Sequence, residues 1–340
     1  MNTTLKIGIL GCGDFLRTQA DGLKQSRSIA VKALYDPDFT RAERYASEIG
    51  GVSVQSDSAI FDDPEIAIIC LFTPPGIRRE LIECAAEAGK HILTTKPLGP
   101  STADCAAMVK AVSNKIRGGV IYSRTGNAGV EMYRRIFDSG EIGSLTLFKE
   151  DWLHHYPEWN KWALDPEENG GPFMDAMIHN LNIARYLMQR KPTKCTFFSE
   201  NHSHPSLSCN DTEFLKLDFE GGGAAYLFIT WAADLAVYSK EGNYREHIEI
   251  RYMITDSGWR LTDAWDNDKL VITASRDGKT RQWATEPFMV TLYDAFAEAV
   301  TTGKPLRSDI PDICEAYEDI KLLRDSEKHI GKRMQVDLSL

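Results

Sequence analysis

Leu5-Lys6-Ile7-Gly8-Ile9-Leu10-Gly11-Cys12-Gly13-Asp14-Phe15-Leu16 is an apolar, β-branched run that passes directly into a glycine-rich turn. The run reads as a strand and the residues after Gly13 as the start of a helix. A glycine turn at that place lets the backbone of Gly11, Gly13, Asp14, Phe15 and Leu16, with the helix N-terminus, approach a pyrophosphate whose charge the helix dipole favours. Leu16 stands where the third glycine of G-x-G-x-x-G is usual, and a tight strand-to-helix turn can need two glycines for its own sake.

The second strand ends at Asp36, 23 residues past Gly13. An acidic side chain there can accept hydrogen bonds from the adenosine ribose hydroxyls and repels a 2′-phosphate, so NAD is expected rather than NADP. Asp36-Pro37-Asp38 equally suits a helix cap, and Arg41 on the following helix has the length to reach a 2′-phosphate. Runs at 5–10, 29–35, 52–54, 66–72, 91–94 and 118–123 alternate with helical segments, the pattern of a parallel sheet flanked by helices. The run at 66–72 is apolar throughout, as a central strand covered on both faces should be. Thr73-Pro74 and Lys96-Pro97 follow the fourth and fifth strands, on the rim where ligands of open α/β sheets bind. A lysine there also serves simply to cap a strand end.

Beyond residue 123 the texture changes. Helices are expected at 130–139 and 174–189, then consecutive strand-like runs at 195–200, 214–219, 224–231, 247–255, 259–262 and 269–274, and closing helices at 287–302 and 310–329. Strands that follow one another without helices argue for an antiparallel sheet. The expected fold class is α/β: a doubly wound Rossmann domain over 1–123, then an α+β domain over 124–340.

Lys and Arg total 39 against 49 for Asp and Glu, and the formal charge of −10 disfavours nucleic acid and anionic membrane surfaces as partners. No apolar run approaches the roughly 20 residues of a membrane span. The first strand begins so early that a signal peptide is not expected. Seven scattered cysteines without Cys-x-x-Cys spacing fit a reducing compartment, so a cytoplasmic protein is expected.

Gly11-Cys12-Gly13, Asp36-Pro37-Asp38, Thr73-Pro74, Ala88-Gly89-Lys90-His91-Ile92-Leu93-Thr94-Thr95-Lys96-Pro97-Leu98, Ser139-Gly140-Glu141-Ile142-Gly143 and Gly170-Gly171-Pro172-Phe173-Met174-Asp175-Ala176-Met177-Ile178-His179 fall in one order along nearly the whole chain. Together they resemble the glucose-fructose oxidoreductase, inositol dehydrogenase and MocA family of NAD(P)-dependent oxidoreductases. The resemblance implies a second domain with a large open antiparallel sheet whose free face serves homodimers or homotetramers. It also implies that Lys96 lies between nicotinamide and substrate, and that Asp175 and His179 of an Asp-x-x-x-His motif complete the catalytic group. Thr95 replaces the family's usual glutamate, Met177 a common glycine and Asn182 a frequent aspartate, while Thr73-Pro74-Pro75-Gly76-Ile77-Arg78 stands where Thr-Pro-Asn-x-x-His is usual.

Asp175 and His179 are four residues apart on an expected helix and share a face. Oxidising a secondary alcohol needs a base for the hydroxyl proton, and imidazole, with an unperturbed pKa of about 6.5, suits that task. Asp175 would orient it, and Lys96 would stabilise developing alkoxide charge. The same pair on a helix is also a common way to satisfy a core histidine. The aromatic segment 151–162 offers His155 and Tyr156 as sugar contacts, although buried packing or a subunit contact would use the same rings. Arg124, just past the last Rossmann strand, is a further substrate-binding candidate. The histidine spacings match no standard zinc motif, so no metal is expected.

These readings converge on an NAD-dependent dehydrogenase acting on CH–OH groups of a sugar, polyol or inositol-like substrate. Two other classes remain open: a glycoside hydrolase or epimerase that uses tightly bound NAD transiently, and a non-catalytic dinucleotide-binding regulator.

Overall fold

Six strands, β1 (Leu5–Leu10), β2 (Ile29–Tyr35), β3 (Val52–Ser53), β4 (Ile66–Leu71), β5 (His91–Thr95) and β6 (Gly118–Ile121), pair in parallel in the order β3-β2-β1-β4-β5-β6. The computed structural model that gives this arrangement describes residues 4–113, 115–158, 161–233, 248–267 and 269–340. Helices α1 (Asp14–Gln25), α2 (Phe39–Ile49), α3 (Ser58–Phe61), α4 (Arg78–Glu87) and α5 (Thr102–Val112) alternate with these strands. In α1 the buried residues Leu16, Ala20 and Leu23 recur at helical spacing, and Leu16 and Leu23 join Ile7, Ile9, Ile68 and Cys70 in one core. Asp38 caps α2 by accepting the Thr40 N–H at 3.2 Å.

The chain divides into two compact units, residues 1–126 with 288–320, and residues 127–287 with 321–340. The cut expected after residue 123 leaves out the chain's return to the first unit. That return is made by α8 (Leu292–Thr302), whose Tyr293, Phe296 and Ala297 enter the Rossmann core. Asp294 fastens it by accepting the N–H groups of Arg27 and Ser28 at 2.9 and 2.8 Å and the Ser26 hydroxyl at 2.6 Å. Burial opposes ionisation of Asp294, but the hydroxyls of Ser26 and Thr291 and the Ser28 N–H outweigh it and hold its carboxyl down at about 2.

In the second unit, α6 (Ala128–Ser139), β7 (Leu145–Leu153) and α7 (Ile178–Met188) precede β8 (Pro192–Glu200), β9 (Thr212–Phe219), β10 (Ala224–Thr230), β11 (Ile248–Thr255), β12 (Arg260–Asp266), β13 (Lys269–Arg276) and β14 (Lys279–Ala284). With β15 (Arg333–Gln335) they form a mostly antiparallel sheet ordered β14-β13-β12-β11-β7-β10-β9-β8-β15 among the described residues, in which β7 and β10 run parallel. α9 (Ile313–Glu327) spans the point at which the chain passes from the first unit to the second.

Register divides the faces of this sheet. Phe197, Leu215, Leu227, Glu150 and Arg251 lie in one cross-strand row on the covered face, where Arg251 holds the buried Glu150 at 2.7 Å. The next row, on the opposite face, is Phe198, Phe214, Phe228, Asp151 and Ile250, and there Phe198 and Ile250 are 42% and 52% exposed. His247, the first residue of the strand expected at 247–255, lies outside the described residues, as do Trp159 and Asn160 of the aromatic segment.

Candidate active site

In the first unit, β1 and β4 are neighbours at the point where the strand order reverses, which opens a crevice beyond their carboxyl ends. Gly11 turns the chain there at φ +94° with its N–H on the Tyr35 carbonyl at 2.9 Å. A Cβ on Gly11 would stand 2.6 Å from the Phe72 carbonyl oxygen, so that residue is demanded by backbone packing. Gly13 is different. It is the N-cap of α1, supplies no side-chain cap, and a Cβ on it would meet nothing within 4 Å.

Asp36 is 8% exposed, and its carboxylate accepts the Cys12 N–H at 2.8 Å and the Asp38 N–H at 2.9 Å. The acid at the end of β2 is thereby fastened to the glycine turn. Burial, with the Asp36 charge, pushes the Cys12 thiol up to about 12, leaving it inert. Leu16 is fully buried and Asp14 exposed, so the first turn of α1 offers the crevice backbone rather than these side chains. Phe15 packs edge-on against Phe72 with ring centres 5.1 Å apart. Open space at Gly13, an uncapped helix N-terminus and a fixed carboxylate at the end of β2 fit the pyrophosphate and ribose of a dinucleotide.

Pro74 is exposed on the same rim, and Lys96 is half-buried and joined to Pro97 by a cis peptide bond. Arg78, which the sequence reading noted only as a departure from a motif, is 2% exposed and donates to the carbonyls of Thr73, Thr95 and Pro97. Arg124 is also buried. Its guanidinium holds Glu315 at 2.7 and 2.9 Å and reaches the Ser308 carbonyl at 3.3 Å, all within the first unit.

In the second unit, Gly170 and Gly171 take φ +90° and +126° and lead into a π-helical turn, Phe173–Met177, continuous with α7. Wide turns of this kind are frequent at functional sites. From Gly171 to Ala184 every residue is buried except Asp175 and His179. Sequence reasoning missed Glu213, whose carboxylate accepts the Phe173 N–H at 2.7 Å and the Ser199 hydroxyl at 2.8 Å at the start of that turn. Burial pushes Glu213 up to about 8. Strand parity was the available signal, since Glu213 shares the inward positions of Leu215, Leu217 and Phe219.

The rings of His155 and Tyr156 lie tilted against each other with centres 4.2 Å apart, and both meet His204 edge-on at 5.4 and 4.8 Å. His204 is anchored on Asp211 at 3.1 Å. Burial opposes the Asp211 charge, but the N–H groups of His202, Ser203 and His204 hold its carboxyl down at about 2. Among the described residues no three metal-ligating side chains come together, no cysteine is bridged, and no helix is long and apolar enough to cross a membrane.

Comparison with known proteins adds two matches, to an oxidoreductase family with an NAD-binding Rossmann fold over residues 5–119 and to the GFO/IDH/MocA C-terminal domain over residues 130–251. The chain belongs to the GFO/IDH/MocA oxidoreductase family. Its first unit is the family's Rossmann unit for binding NAD(P). Inositol 2-dehydrogenase 2 of Saccharopolyspora erythraea is 28% identical over 232 residues, 64% of each chain, so just under two thirds of that relative is matched. Among solved structures, an aldose-aldose oxidoreductase from Caulobacter crescentus complexed with glycerol has a TM-score of 0.81 at 19% identity and covers 98% of this chain and 99% of its own. Levoglucosan dehydrogenase in complex with NADH has a TM-score of 0.82 at 18% identity, covering 98% and 100%. At such identities the likeness is one of fold.

Proposed function

We propose that this GFO/IDH/MocA member is an NAD-dependent dehydrogenase of a sugar, polyol or inositol-like alcohol, with Lys96, Asp175 and His179 as its catalytic residues. The observation that carries the reading is the burial pattern of 171–184, in which one acid and one imidazole, four residues apart, are the only partly exposed side chains. A helix that hides everything else and presents this pair has the composition of a general-base site. Relatives named inositol 2-dehydrogenase and levoglucosan dehydrogenase support an alcohol of this class.

In this reading His179 takes the hydroxyl proton of the substrate while Asp175 orients the imidazole and stabilises its protonated form. Lys96, on the cofactor rim of the first unit, is assigned the stabilisation of alkoxide character as the carbon is oxidised. Bound at the N-terminus of α1, NAD supplies the hydride acceptor. Asp36 favours NAD over NADP by presenting a carboxylate where a 2′-phosphate would stand. His155 and Tyr156 offer ring faces and polar tips to a sugar, and His204 joins them. Arg124 is left out of the substrate set because Glu315 engages its guanidinium. The face bearing Phe198 and Ile250 is assigned to a second copy of the chain, forming a dimer or tetramer.

Purified protein with NAD and a panel of inositols, aldoses and sugar acids tests the reading. NADH accumulating with at least one substrate, and lost in Lys96→Ala and His179→Ala, supports it. Altered product without NADH would instead favour a hydrolase or epimerase with an internal redox cycle, and cofactor binding without any chemistry a regulator.

A further inference from the structure

Arg78 is a buried cation to which the proposed chemistry gives no task. It is 2% exposed, and burial pushes its guanidinium down to about 9. Among the described residues, Cys105 and Tyr122 lie close enough to act on its charge, and no carboxylate is among its hydrogen-bond partners. Keeping a guanidinium so enclosed is costly unless its donors are well used. They are used on main-chain carbonyls. Nε donates to the Thr73 oxygen at 3.0 Å, and Nη2 to the same oxygen. Nη1 donates to the carbonyls of Thr95 and Pro97.

Thr73 follows the end of β4 and Thr95 is the last residue of β5, where carbonyls leave the sheet ladder and need new partners. Two of the three carbonyls belong to the residues immediately before and after Lys96. The Lys96 N–H itself donates to the Ile121 carbonyl at 3.3 Å. The main chain is therefore held on both sides of the lysine and at the lysine. A planar fork with several fixed donors can span such carbonyls, whereas an ammonium is a single point charge.

We propose that Arg78 is a positioning residue for Lys96: it clamps the backbone on both sides of the lysine and so sets where the ammonium is presented on the cofactor rim. The proposal rests on the catalytic assignment of Lys96 and deepens it.

The test compares Arg78→Met and Arg78→Lys with the parent protein by two readouts. Amide exchange by mass spectrometry, on the protein saturated with NADH, reads the clamp itself. Both variants should speed exchange in the segment around residues 94–98 by about tenfold or more while β1 is unchanged. Kinetics then read the consequence. Arg78→Met should lower kcat at least about tenfold with the NADH dissociation constant within about threefold of the parent, and Arg78→Lys should restore less than half of that loss. Combined with Lys96→Ala, either Arg78 variant should cost little beyond Lys96→Ala alone, because both act through one side chain. Unchanged exchange around 94–98, or losses that simply multiply in the double variants, would overturn the proposal. Undiminished kcat in Lys96→Ala would refute the catalytic reading itself and the positioning role with it, whereas a Lys96→Ala with strongly reduced but measurable kcat and multiplying losses overturns the role of Arg78 alone.

Discussion

The two glycines of the opening turn should answer very differently to the same substitution. In Gly11→Ala, φ +94° places an alanine in the left-handed region, at a cost of about 1–2 kcal/mol. Its Cβ would also stand 2.6 and 2.7 Å from the oxygen and carbon of the Phe72 carbonyl. That backbone cannot swing away freely, because the Phe72 N–H is bonded to the Leu10 carbonyl at 2.8 Å. Overpacking adds about 1–3 kcal/mol. The sum, about 2–5 kcal/mol, corresponds to a fall in Tm of about 5–15 °C for a unit of this size. Gly13→Ala meets none of this, since its φ of −90° is open to any residue and nothing lies within 4 Å of the new methyl. Its Tm should stay within about 3 °C of the parent, because the penalty of alanine at an N-cap is offset by the lower entropy of its unfolded chain. The methyl would nevertheless occupy the space in which a pyrophosphate approaches α1, so NADH affinity should fall at least about tenfold. Thermal melts and NADH fluorescence titrations on the same samples check both claims. Gly13→Ala that melts as early as Gly11→Ala, or that binds NADH like the parent, would show that the space at Gly13 is not kept for a pyrophosphate.

Asp36→Ala should weaken NADH binding about tenfold while NADPH binding falls less or rises, read by parallel titrations, since the fixed carboxylate at the end of β2 is removed. Glu213 has a folded-state pKa raised from 4.5 to about 8, so the folded chain holds a proton that the unfolded chain has lost. Stability from this group is fully present below about pH 4.5 and is lost as pH rises through about 8, by several kcal/mol at most. Glu213→Gln, which keeps an acceptor for the Phe173 N–H, should match the parent near pH 5 and melt higher than the parent at pH 8.5, with Arg324 and Glu327 as the other charges near the site. Parallel Tm curves across that range would contradict the assignment. Ile250→Glu, on the open sheet face, should shift the protein toward monomer in sedimentation velocity without lowering its Tm by more than about 3 °C.

The first unit was legible because its information is local. The apolar run 5–10, the glycine turn and Asp36 follow one another as a parallel α/β sheet requires, and the helix cap at Asp38 was readable from residue type. β7 was not recognised as a strand, although it lies at the middle of the second sheet. Lys149, Glu150 and Asp151 interrupt its apolar pattern, and Glu150 becomes tolerable only because Arg251, 101 residues away, is brought beside it. β14, Lys279–Ala284, is an edge strand rich in charge, and edges do not show the apolar alternation on which strand reading relies. The return of α8 to the Rossmann core is a tertiary event: its amphipathic pattern announces a helix but not the partner of its buried side. Arg78 and Glu213 owe their places to carbonyls and N–H groups contributed by other elements. Arg124 illustrates the converse, since its position in the chain suggested a ligand contact and its surroundings supply Glu315.

Hydride transfer from the substrate carbon can be followed with an isotope. A substrate found in the NAD screen, deuterated at its oxidised carbon, would be turned over by the parent protein, and the nicotinamide product analysed by mass spectrometry. NADH should carry the label from the substrate carbon, and that transfer should fall by at least about a hundredfold in Lys96→Ala and His179→Ala. Full label transfer in both variants, or a product formed while the label never leaves the substrate, would contradict hydride transfer aided by these two residues.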